Sequence, residues 1–121
     1  MEPADAIAAY GAAWNEHDEA ARTALLERAW SEDGLYQDPS ASAEGRTALV
    51  AHIGGFHAMA PGHSIELVSG IDHYGSLFRF AWEMRNGEER VLEGMDFGEF
   101  ADDGRIRRIT GFFGPFPDLA P

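Results

Sequence analysis

The chain has 121 residues, with 21 Asp and Glu against 9 Lys and Arg and a formal charge of −12. Such a field repels phosphate backbones and anionic lipid, so no nucleic-acid partner and no membrane surface is expected. The absence of cysteine excludes disulfide scaffolding, thiolate catalysis and cysteine metal sites, and the length fits one domain over residues 1–121 around a single core.

The N-terminus, Met1-Glu2-Pro3-Ala4-Asp5, lacks a basic segment followed by an apolar stretch, and no run approaches the roughly 20 apolar residues of a membrane span. A cytoplasmic protein is expected. From Pro3, Ala6, Ile7, Tyr10, Ala13 and Trp14 recur at helical spacing, predicting a first helix that ends near Asn15-Glu16-His17. Asp18 is placed to cap a second helix whose apolar stripe is Ala21, Leu25, Leu26 and Ala29, running up to Trp30. Ser31-Glu32-Asp33-Gly34 is expected to end it. A short strand through Leu35-Tyr36-Gln37 stops at Pro39, and Ser40 to Gly45 reads as a loop. A third helix follows from about Arg46 to Ala58, with Leu49, Val50, Ile53 and Phe56 as its buried stripe, closed by Pro61-Gly62.

From Ser64 the period changes to alternation, with Ile65, Leu67, Ser69 and Ile71 on one face. Leu77 to Arg85 runs into Asn86-Gly87, a strong hairpin signal, and returns as Arg90 to Phe100. After the turn at Asp102-Asp103-Gly104, Arg105 to Phe113 is the last long strand. Helices first and an antiparallel meander afterwards predict an α+β domain: a strongly bent, mostly antiparallel sheet with about three helices packed over its concave face, forming a cone whose interior is a pocket.

Three residues stand out against this frame. Asp38 and Asp96 interrupt apolar strand-like runs, and a carboxylate on a buried strand costs several kcal/mol unless it is hydrogen-bonded, protonated or at work. Tyr10, on the apolar side of the first helix, can offer a phenolic proton to a developing negative charge. Gly94 and Gly98, either side of Asp96 on the same strand face, are expected to leave space beside its carboxyl. Plainer roles stand beside these: Asp38 before Pro39 as a turn cap, Tyr10 as a core tyrosine, and Asp96 as an ionised partner of Arg79 or Arg108. Arg79 and Glu83 share a strand face, and would make a pocket polar if they line it. His52 and His57 are five residues apart, unlike the i, i+4 pair of a zinc helix, so no metal site is expected.

Ala9-Tyr10-Gly11-Ala12-Ala13-Trp14-Asn15-Glu16-His17-Asp18, Tyr36-Gln37-Asp38-Pro39, Gly45-Arg46-Thr47-Ala48-Leu49 and Gly94-Met95-Asp96-Phe97 come in the order and spacing of a known family. With these anchors the chain resembles the nuclear transport factor 2-like superfamily, which includes ketosteroid isomerase, limonene epoxide hydrolase and the SnoaL-like polyketide cyclases. The resemblance implies the cone-shaped α+β barrel, a small-molecule ligand and a homodimer. Toward ketosteroid isomerase it also implies roles: Asp38 as the general base, Tyr10 and a protonated Asp96 as donors to an enolate oxygen, with no cofactor. Trp14, Phe56, Arg79 and His73 are the candidates for contacting the ligand. The epoxide-hydrolysing dyad has no counterpart, since Ala81 and the Ile109-Thr110-Gly111 stretch stand where its aspartates belong. An isomerase or cyclase working by proton abstraction next to a carbonyl, a non-catalytic binder of a hydrophobic or amphipathic molecule, and a dimeric interaction module all remain open from sequence.

Overall fold

Pro3 opens α1 (Pro3–Trp14) where its missing N–H leaves no bond unmade, and Asp18 caps α2 (Glu19–Ala29) by accepting the Ala21 N–H at 2.9 Å. The structure, a computed structural model, describes residues 1–120. The remaining elements are β1 (Trp30–Asp38), β2 (Ala41–Glu44), α3 (Arg46–Met59), β3 (His63–Leu67), β4 (Asp72–Tyr74), β5 (Leu77–Asn86), β6 (Glu89–Phe100) and β7 (Ile106–Phe113). Among the described residues no helix is long and apolar enough to cross a membrane.

Seven strands form one sheet in the order β2-β1-β7-β6-β5-β3, with β4 also paired to β5. Among the described residues only β1 and β7 run parallel; the other pairs are antiparallel. The sheet stays open, so the architecture is a cone-like α+β fold with three helices on the concave side. Ile7, Leu26, Trp30, Leu49, Ile53, Ile106 and Ile109 are fully buried between helices and sheet. Each such side chain contributes about 1.5–3 kcal/mol on leaving water.

Two polar side chains lock the helices in place. The guanidinium of Arg22, buried on α2, donates to the carbonyls of Glu16 at 3.0 Å, His17 at 3.2 Å and Val50 at 3.2 Å, tying the α1–α2 turn to α3. Asn15 exchanges two bonds with the Ile65 backbone, at 2.7 and 2.8 Å, and so pins the end of α1 to β3.

Three segments depart from the pattern read in the sequence. Ser31 to Gly34, expected as a break after α2, belongs to β1. It is an irregular stretch all the same: between the pairs Trp30↔Ile106 and Leu35↔Arg108, β1 advances five residues while β7 advances two. Ala41–Glu44, expected as loop, is β2, because the Asp38 carboxylate folds Pro39-Ser40 into a turn that returns the chain antiparallel to β1. The alternating run from Ser64 divides into β3 and β4. Between them the ladder to β5 is carried by Val68 N–H to the Ala81 carbonyl at 3.0 Å and by the Ser69 hydroxyl, which accepts the Ala81 N–H at 2.8 Å.

Candidate active site

Side-chain parity builds the site. On β5 the even residues Phe80, Trp82 and Met84 face inward, and on β6 Leu92 and Asp96 do so. With the inner faces of α1 and α3 they enclose a cavity of about 430 Å³, within the range of small-molecule sites. Tyr10, Asp38 and Asp96, distant in the chain, all line it. Apart from Ser40 and His52, the rest of the wall is mostly aromatic and aliphatic, and among the described residues no Lys or Arg takes part.

The parallel entry of β1 explains the meeting of the carboxyls. β7 has β1 on one side and β6 on the other, so Asp38 and Asp96 flank it. Gly111 lies between them: a Cβ there would sit 2.9 Å from Asp96 Oδ1 and 3.6 Å from the Asp38 Cβ.

Asp38 is both turn cap and cavity group, one role per oxygen. Its Oδ1 accepts from the Ser40 N–H at 2.7 Å, the Ser40 hydroxyl at 2.8 Å and the Ala41 N–H at 2.9 Å. Its Oδ2 accepts from the Tyr36 hydroxyl at 2.5 Å and lies 3.9 Å from His52 Nε2. Burial alone would raise this carboxyl, but the bonds from Tyr36, Ser40 and Ala41 together outweigh it, and the group is held below its usual 3.8. Burial, followed by the Asp38 contact, pushes the Tyr36 phenol far up. The shared proton therefore stays on Tyr36.

Asp96 has the opposite character. Burial raises its carboxyl from 3.8 to about 7; the Trp82 indole, donating to Oδ1 at 3.0 Å, pulls the other way, and the charge of Asp38 adds to the rise. No arginine pairs with it among the described residues: Arg79 is bound to Asp72 at 2.9 Å, and Arg108 reaches Gln37 at 3.4 Å. Tyr10 stacks on Trp30 with ring centroids 5.7 Å apart, and its buried hydroxyl has no hydrogen-bond partner among the described residues. Burial, then the charge of Asp96, keeps that phenol well above 10, so Tyr10 retains its proton as a donor. The cavity thus receives an ionised carboxylate from Asp38 and O–H groups from Tyr10 and, below about pH 7, from Asp96.

Of the ligand-contact candidates, Trp14 and Phe56 line the cavity. Arg79 and His73 do not, a correction with a simple cause. Odd residues of β5 point outward, leaving Arg79 exposed beside Asp72, and β4 carries His73 on an exposed edge. Glu83, on the Arg79 face, bonds Arg85 instead of entering the cavity. With neither Arg79 nor Glu83 in its wall, the cavity stays mostly apolar.

The space itself also lies elsewhere than expected. A Cβ at Gly94 would run into the Trp82 indole and one at Gly98 into the Phe78 ring, so those glycines admit aromatic rings rather than a ligand. Room is left on α3 instead, where Gly55 lines the mouth and a Cβ would meet nothing within 4 Å. Gly55→Leu is expected to weaken binding of β-naphthol, an uncharged stand-in for an enol, by about ten-fold or more. It should raise stability by up to about 1 kcal/mol, because leucine is the better helix former. Fluorescence titration together with urea unfolding checks both.

Tyr36 and His52 are cavity residues that sequence reasoning passed over, while Trp82 was legible as an aromatic of the core or the cavity wall. The first two were within reach: Tyr36 shares its strand face with Asp38, and His52 borders the stripe of Leu49, Ile53 and Phe56.

An open cone with a mostly apolar cavity, entered by a carboxylate and a separate pair of hydroxyl donors, defines a small-pocket protein of the nuclear transport factor 2-like class. The model of the SnoaL-like domain family matches residues 7–109, and the chain belongs to that family. It is similar to a candidate isomerase of the SnoaL-like family from Agrobacterium tumefaciens, at 32% identity and a TM-score of 0.85 over 91% of this chain and 95% of that one. A protein of ketosteroid isomerase-like fold from Catenulispora acidiphila, in complex with trimethylamine, has a TM-score of 0.73 at 14% identity, over 91% of this chain and 85% of that one. For a candidate polyketide cyclase from Sinorhizobium meliloti the values are 0.69 and 17%, over 92% and 99%. The last two show the fold alone. No curated protein matches the chain.

Proposed function

We propose that the protein is a cofactor-independent isomerase or cyclase that removes a proton next to a carbonyl and stabilises the resulting enolate. The observation that carries this reading is the division of charge within one cavity: Asp38 is held ionised, while Tyr10 and, below about pH 7, Asp96 hold protons. A ketone seated between them has its α C–H against Asp38 Oδ2 and its oxygen against the two O–H donors. As the C–H bond breaks, its electron pair moves onto the ketone oxygen, where the hydrogen bonds strengthen. An isomerase then returns the proton at another carbon, and a cyclase lets the enolate attack a second carbonyl. The apolar wall suits an uncharged polycyclic substrate, and the related candidate isomerase and cyclase names agree with both outcomes.

A β,γ-unsaturated octalone tests this, because removal of one α proton leads to a conjugated enone that absorbs in the near ultraviolet. The wild-type protein is expected to accelerate the conversion over buffer, and Tyr10→Phe to lower kcat/KM by about 10²-fold, the cost of one oxyanion donor. No acceleration, or a Tyr10→Phe protein as fast as wild type, would count decisively against the proposal.

A further inference from the structure

The carboxyl that accepts the proton in this reading is nearly sealed from water. Asp38 has a side-chain exposure of 5%, and its neighbour His52 one of 26%. Four donated hydrogen bonds surround the Asp38 carboxylate, three on Oδ1 and one on Oδ2, so only the remaining lone pair of Oδ2 is open to a new proton. That oxygen lies 3.9 Å from His52 Nε2. The imidazole is held rather than loose: it packs edge-on against Trp14 at 5.7 Å and tilted against Tyr36 at 5.2 Å. It also lines the same cavity, so a group that can both accept and release a proton joins the buried oxygen to the outside.

We infer that His52 is the second proton carrier of this site, taking the substrate-derived proton from Asp38 and exchanging it with solvent. The inference rests on the carbon-acid reading above. The C–H proton passes to Asp38 Oδ2 while the electron pair stays on the enolate. With its own proton on Nδ1, neutral His52 offers the Nε2 lone pair to the new carboxylic acid. The transfer restores the Asp38 carboxylate, which keeps its four donors, and leaves an imidazolium beside it. The imidazolium exchanges its N–H protons with water through its exposed edge. Reversal delivers a solvent proton to Asp38 and then to the γ carbon, so the product is the conjugated isomer of the substrate, with the α hydrogen lost and a solvent hydrogen gained at the γ carbon. No oxidant, metal or leaving group takes part.

Isomerisation of the octalone in deuterium oxide separates this step from the chemistry before it. The rate reports proton abstraction, and the deuterium content at the γ carbon reports the exchange. Wild-type product should carry mostly deuterium at that carbon. In His52→Gln and His52→Phe the label per molecule of product should fall several-fold, whatever change in rate the altered cavity wall brings, because the proton removed by Asp38 is returned without meeting solvent. Phenylalanine preserves the ring packing against Trp14 and Tyr36, so a loss of label in both variants assigns the effect to the missing nitrogen. Unchanged label in both would overturn the relay and leave the Asp38 chemistry standing. Complete loss of turnover in folded His52→Phe would overturn it too, since a relay moves only a proton already taken. Failure of the wild type to accelerate the reaction would instead remove the carbon-acid reading itself.

Discussion

Asp38→Asn is expected to lower octalone isomerisation by about 10²–10⁴-fold, the contribution of a positioned general base, while β-naphthol binds within about three-fold of wild type. Asparagine is the informative change because of how the two oxygens divide their work. Its side-chain carbonyl can still accept from Ser40 and Ala41, so the turn into β2 survives, and its amide can donate to a rotated Tyr36 hydroxyl. What disappears is the free basic lone pair of Oδ2. Asp38→Ala would confuse the result, since three donors around Oδ1 would lose their acceptor, at about 1–3 kcal/mol for each one left buried. The depressed carboxyl adds a pH criterion. With a folded-state value below 3.8, Asp38 is ionised throughout the range above about pH 4, so no loss of activity above that point arises from its protonation. An Asp38→Asn protein that isomerises at the wild-type rate would reduce Asp38 to a turn cap.

The main elements were legible because each announces its own period. Tyr10 and Trp14 sit four apart on the stripe of α1, Asp18 caps α2, and Asn86-Gly87 turns β5 into β6, with Gly87 at φ 65° as such a turn requires. What escaped depends on contacts between distant segments. Ala41–Glu44 has no strand-forming residues and only two alanines alternating with Ser42 and Glu44, too short a pattern to announce a strand, and becomes β2 because the Asp38 carboxylate organises the preceding turn. The environment of Asp96 is a second case. Continued without interruption from the Asn86↔Glu89 pair, the hairpin would set Asp96 opposite Arg79, the ion pair a sequence reader would suspect. A bulge between Met84 and Arg85 shifts the register by one, so Asp96 faces Phe80 and Arg79 faces Phe97. One extra residue in a strand therefore decides whether this aspartate is an exposed partner of arginine or a buried acid in the cavity.

Asp96→Asn follows from that buried position and should act on both activity and stability. In the folded protein the carboxyl titrates at about 7 against 3.8 when unfolded, so between these values the native state holds a proton that the unfolded chain has released. Stability from this group is complete below pH 3.8, declines as pH rises through the interval, and is lost above about 7, where ionisation of the buried group opposes folding. A rise of about three units corresponds to on the order of 4 kcal/mol. Asparagine keeps the Trp82 bond through its carbonyl oxygen and cannot ionise. Near pH 9 the variant should therefore be more stable than wild type by on the order of 2–4 kcal/mol, and near pH 3 by almost nothing, as urea unfolding at the two pH values would show. Activity should move in parallel: octalone isomerisation by wild type falls above about pH 7 as Asp96 loses the proton it donates, whereas Asp96→Asn is slower at pH 6 by about ten-fold and lacks that alkaline fall. The charge of Asp38 contributes to the raised value, so in Asp38→Asn the Asp96 midpoint should move down, visible as a stability loss that ends at lower pH and is smaller in total. If wild type and Asp96→Asn show the same pH dependence of unfolding, Asp96 carries its charge at all working pH, and the cavity has one hydroxyl donor instead of two.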